Sequence, residues 1–134
     1  MVKTSLVETD LLAGRRLLRT IHVAYEALFR IKSAFWMFYS ESQEWRLVIA
    51  TPLVDEQGPL DTYRKVQGVL FEIQPSDLTL DNIAVISAKD PLARAFRSAM
   101  RMTPISPYLR LSRTSLGGNY VEDAYVYKLP PPPI

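Results

Sequence analysis

Five arginines in the C-terminal third, Arg94, Arg97, Arg101, Arg110 and Arg113, offer the clearest chemistry in this chain. Arg94, Arg97 and Arg101 recur at i, i+3 and i+7, so they share one face of a helix. Arg110 and Arg113 follow on the next strand and its turn. Guanidinium groups in such a set bind phosphate oxygens, and Tyr108 and Tyr120 lie close enough in sequence to stack bases. The reading is therefore an anion or nucleic-acid face. The same stripe is also the polar side that any amphipathic helix presents opposite Leu92, Phe96 and Met100. No recognition motif accompanies it, and nucleic acid is the less favoured partner.

A second candidate lies at Asp55, Glu56 and Asp61, where an apolar strand gives way to a helix. Open sheets hold ligands at such junctions. Carboxylates there can hold a divalent cation, as a metal-dependent hydrolase requires. Asp61 has a simpler use in the first helical turn, complementing the helix dipole. The preceding strand, Trp45–Thr51, carries no acid or lysine set of the nuclease kind. A small-molecule site at this junction would use Asp55 and Glu56, Arg64 as the nearby cation, and Trp36 and Trp45 as apolar walls.

The remaining residue types exclude more than they suggest. There is no cysteine, which removes disulfides and thiolate chemistry. His22, the only histidine, sits one turn before Glu26 and reads as a structural or surface residue. Without a histidine in a plausible triad, no serine or threonine reads as an activated nucleophile. No glycine-rich phosphate loop occurs, Gly117 and Gly118 included. The residues call for no cofactor and no resident metal.

Elements must position these residues. Apolar positions Leu11, Leu18, Ile21, Tyr25, Leu28 and Phe29 recur at helical spacing and predict a first helix, capped by Thr9 or Asp10, to about Lys32. Gly14 weakens that helix. Residues 34–39 are apolar throughout and 45–51 nearly so, separated by Ser40–Glu44. The pattern predicts a hairpin whose strands are covered on both faces. A loop, Leu53–Gly58, leads to a second helix from Pro59 to Phe71. Ile83–Ser87 predicts a third strand. Asp90-Pro91 opens a third helix to about Met102, with Leu92, Ala95, Phe96, Ala99 and Met100 inward. Tyr108–Ser112 and Tyr120–Leu129 form a final hairpin around Gly117-Gly118-Asn119. Prolines 130–133 predict an extended, fraying tail, able to dock in an aromatic groove.

The order α-β-β-α-β-α-β-β predicts an α+β fold: one mixed or antiparallel sheet of about five strands with three helices packed on it. The expectation is one domain over residues 1–129 and a tail over 130–134. The charge, +2 overall, is arranged in blocks. Six basic residues face three acidic ones in residues 1–33, three face eight in 34–82, and seven face three in 83–134. Such blocks suit internal or subunit-to-subunit matching. Trp36, Phe38, Trp45, Tyr120, Tyr125 and Tyr127 are more aromatic surface than a short chain readily covers alone, which favours a homodimer. No apolar run is long enough for a membrane span, and the N-terminus lacks a signal-peptide core. The sequence thus points to a non-enzymatic cytoplasmic interaction or ligand-binding module, with a protein or small molecule as partner.

Overall fold

The computed structural model describes residues 3–75, 77–102 and 106–131. Strands β1 (Ser33–Tyr39), β2 (Glu44–Ala50), β3 (Ile83–Ile86), β4 (Tyr108–Leu116) and β5 (Asn119–Tyr127) form one mixed sheet in the order β3-β2-β1-β5-β4. β2 and β3 are parallel and the other neighbours antiparallel. The fold is α+β, as the element order predicts.

Helices α1 (Glu8–Phe29) and α3 (Pro59–Ile73) cover one face of the sheet. Helix α4 (Pro91–Arg101) covers the other. Alternation along β1 feeds both layers. Ala34 and Trp36 join Leu17, Leu18, Ile21 and Val66, while Phe35 packs edge-on against Phe96 of α4 at 4.5 Å between ring centroids. This is why Ala34–Tyr39 has no polar position: neither face of its strand meets water over most of its length.

Several local expectations need correction. The first helix begins earlier, with Val7 as its cap residue; Asp10 instead sits inside the first turn, accepts from the Val7 amide and pairs with Lys3 at 2.7 Å. It ends at Phe29, where Arg30 turns the chain in a left-handed conformation. Leu53–Gln57, expected as loop, is a short helix α2. Thr51 explains it: its buried hydroxyl donates to the Phe29 carbonyl and accepts from the Leu53 amide, ending β2 and starting the turn together. In α4 the buried residues are Ala93, Phe96 and Met100, whereas Leu92, Ala95 and Ala99 are half-buried. Asp90 does cap that helix, accepting from the Leu92 amide at 2.9 Å. β4 runs four residues longer than its apolar start suggests. The tail is packed as far as Pro131, which is buried and whose carbonyl accepts from Arg19 at 3.0 Å. Residues 132–134 lie outside the described residues.

Gly14 turns out to be a contact residue. The hydroxyl of buried Tyr127 accepts from the Trp36 indole at 3.0 Å and donates to the Leu11 carbonyl at 2.5 Å, joining β5, β1 and α1. Burial pushes the Tyr127 phenol up from its ordinary value and so keeps this proton in place. A Cβ on Gly14 would stand 2.5 Å from that hydroxyl and 3.0 Å from the indole nitrogen. Gly14→Ala is expected to lower the unfolding free energy by about 1–3 kcal/mol through overpacking, although alanine favours an ordinary helix site by ~1 kcal/mol. Gly68 of α3 has nothing within 4 Å of such a Cβ. Gly68→Ala is expected to raise stability by about 0.5–1 kcal/mol. Urea denaturation of both variants checks the opposite signs; equal signs would refute the contact reading.

Candidate anion-binding cleft

The sheet topology gathers basic residues from both ends of the chain at one end of β1 and β5. The chain leaves α1 through Arg30, and the Lys32 amide bonds to the Ala50 carbonyl at 2.9 Å. That fixes Lys32 and Ser33 at the start of β1. The antiparallel register, Phe35 opposite Val126, brings Lys128 to the same end. The Lys128 amide is held by the Pro107 carbonyl at 2.9 Å. Above these strands, the Phe35–Phe96 contact seats α4 so that Arg97, Met100 and Arg101 overhang them.

The result is a cleft of about 390 Å³ bordered by Lys32, Arg97, Arg101 and Lys128. Among the described residues, no carboxylate lines it. Among the described residues, no ion pair or hydrogen bond engages the Lys32, Arg97 or Arg101 side chains. Arg101 also stands in the last turn of α4, where a cation complements the helix dipole. That accounts for one of the four charges and not for their convergence. Lys32, Arg97 and Arg101, without a counter-charge among the described residues, raise the local potential and attract anions.

Ser33, at 3% exposure, is among the residues that line this cleft. Its hydroxyl is the one buried side-chain polar atom among the described residues without a hydrogen-bond partner. Buried polar groups are normally paired, and an orphan costs about 1–3 kcal/mol. An acceptor seated against this hydroxyl would complete it. The walls between the cations are aliphatic: Ile31, Met100, Val126 and Leu129.

The other candidates from sequence are placed differently. Arg94 is exposed on α4 and does not line the cleft. Arg110 projects from the opposite face of the sheet, where it forms a double hydrogen bond with Asp123 and lies 5.2 Å over the Tyr125 ring. The Asp123 bond holds its guanidinium pKa above the ordinary value. Arg113 adopts a left-handed conformation, φ 46°, and lines a separate shallow hollow with Phe38, Trp45 and Arg110. Tyr108 packs on Tyr125, also away from α4. The five arginines therefore do not make one surface. Sequence missed Lys32, Ser33 and Lys128; the only signal was that both basic blocks flank the acidic middle.

The junction set does not converge on a pocket. Trp36 is wholly enclosed, and Trp45 is core, packed between Phe38 and Tyr125. Asp55 accepts from the Ser87 hydroxyl at 2.7 Å, Glu56 pairs with Arg30, and Asp61 faces Arg64 at 3.5 Å. Each carboxylate thus has its own partner, and among the described residues no three His, Asp or Glu side chains gather to hold a metal. His22 stands 3.6 Å from Glu26 beside a small hollow walled by Leu18, Leu129 and Pro130, which no hydroxyl lines among the described residues. No helix among the described residues is long and apolar enough to cross a membrane. Comparison with protein-family models, curated proteins and solved structures finds no match for this chain.

Ser33→Ala separates stability from binding. Removing the orphan hydroxyl is expected to raise the unfolding free energy by about 1 kcal/mol, while weakening any anion held in the cleft. Thermal or chemical denaturation measures the first effect; a loss of stability would show that the hydroxyl has a partner in solution.

Proposed function

We propose that the protein is a non-enzymatic, cytoplasmic ligand-binding module that takes an anionic ligand in the cleft between the α4 C-terminal half and the ends of β1 and β5. One observation carries the reading: a buried, unpaired Ser33 hydroxyl belongs to a cleft that Lys32, Arg97, Arg101 and Lys128 also line, with no carboxylate among the described lining residues. The volume suits a small ligand rather than a polymer, since ligand clefts begin at about 300 Å³. A nucleic-acid track would need a continuous basic strip with stacking aromatics. Here Arg94, Arg97 and Arg101 are separated by the sheet from Arg110, Arg113 and Tyr108. The absence of a base-nucleophile pair among the described residues lining the cleft supports a binding role over a catalytic one. The cysteine-free composition is in keeping with a cytoplasmic location.

Calorimetric titration with inorganic phosphate at low and moderate salt tests this. Affinity is expected to fall with salt, because exposed charges are screened. The Arg97→Glu, Arg101→Glu double variant is expected to bind at least about tenfold more weakly, a change of ~1.4 kcal/mol. Unchanged affinity in that variant would sink the reading.

A second reading, a homodimer, rests on a different surface. Phe71 of α3 is 74% exposed and Val23 of α1 is 69% exposed, on the two helices that share one layer. Large apolar side chains left in solvent on adjoining helices are what a subunit interface covers. Sedimentation velocity is expected to give a dimer for the native chain and a monomer for Phe71→Glu; a native monomer at high protein concentration would remove this reading.

A further inference from the structure

A second cleft lies at the other end of β1, and its charge is of the opposite sign. β1 pairs with β5 only as far as Met37 and Ala124, although β1 runs on to Tyr39 and β5 starts back at Asn119. Beyond that last pair the ladder stops, and residues of β1, the β1–β2 turn, β2 and β5 line a cleft of about 560 Å³. It shares no described residue with the cleft around Ser33. We infer that this second cleft binds an organic dication, of which an aliphatic diamine is the simplest form.

Carboxylates and aromatic rings share this lining. Glu41, Glu44 and Glu122 line the cleft together with one cation, Arg46. Arg46 shows how the surface receives a cation. Its guanidinium bonds to the Glu44 carboxylate at 2.7 and 2.9 Å and lies 6.0 Å over the Tyr39 ring. A carboxylate beside an aromatic face is what an alkylammonium ion also seeks. The same two kinds of group occur again without an occupant. Among the described residues, Glu41 and Glu122 make no ion pair or hydrogen bond, and Tyr120, 64% exposed, has no ring or hydrogen-bond partner. A neighbouring hollow of about 300 Å³ shares Phe38 and Glu122 with the cleft and brings up Arg110 and Arg113. Arg110 is held by Asp123, and Arg113 forms no ion pair with Glu122. Two carboxylates therefore await two positive charges. A metal ion is not the match, because among the described residues no three His, Asp or Glu side chains gather to hold one. Acids spread along an aromatic-walled cleft suit charges separated by methylenes, which Phe38, Tyr39 and Tyr120 can cover.

Calorimetric titration with butylamine, putrescine and magnesium chloride at one ionic strength tests this. Putrescine has the carbon count of butylamine and one more charge, and it is expected to bind at least about threefold more tightly. Glu41→Gln and Glu122→Gln are each expected to bring putrescine down to the affinity of butylamine. Tyr120→Ser is expected to weaken both amines about threefold and to leave magnesium unaffected. All three positions are exposed, so these variants keep the fold. Equal affinity for the two amines, binding of neither, or putrescine binding unchanged in the Glu41→Gln, Glu122→Gln double variant would overturn the inference. Magnesium binding more tightly than putrescine would also overturn it and make the cleft a metal site. Self-association of the chain that the same double variant abolishes would overturn it too, since the cations of a second copy would then be the occupant. None of these results bears on phosphate binding beside Ser33, which stands or falls on its own titration.

Discussion

Burial of β1 on both faces is the constraint from which the rest of the architecture follows. Its neighbours β2 and β5 take the backbone hydrogen bonds, and its side chains alternate between two apolar layers. A strand with Phe35 on one side and Trp36 on the other cannot leave either face in water. It therefore requires helices on both sides, and α1 with α3 and α4 supply them. The Tyr127 hydroxyl makes the union specific rather than merely apolar. It joins the indole of the central strand to a helix carbonyl, which is only reachable because position 14 lacks a side chain.

The same constraint creates the cleft. α4 must sit over Phe35 to cover it, and it is long enough for its last turns to overhang the end of the sheet. There β1 begins and β5 ends, so a residue just after the first helix meets residues near the C-terminus. The charges that collect at this point are the polar fringe of three apolar elements. The edges of the sheet are handled separately. At β3 the Tyr63 hydroxyl accepts from the Val85 amide, occupying an otherwise open ladder position. At β4 the left-handed Arg113 interrupts a regular edge.

How much was legible can be judged from particular residues. Residues 34–39 announced a doubly covered strand, Asp90-Pro91 a helix start, and Gly117-Gly118 a tight turn with positive φ at both glycines. These signals are local, and each is carried by the residue that performs it. Short helix α2 was missed because Leu53–Gln57 has one turn and no periodicity to read. Gly14 read as a weakness because helix propensity carries no information about a tyrosine more than a hundred residues away. The arginine set was half right for the same reason: helical spacing groups Arg97 with Arg101, but nothing local says that Arg110 points through the other face.

By itself, then, the sequence determined the fold class, the central hairpin and the cations available. Apolar periodicity and backbone stereochemistry act within a few residues, and they fix elements without reference to the rest of the chain. Tertiary structure alone decided which cations share a site. Lys32 and Lys128 are 96 residues apart in sequence and line one cleft only because β5 enters the sheet beside β1 rather than at its edge. That choice is made by the summed burial of two layers of side chains, a property of the packed molecule and of no single segment.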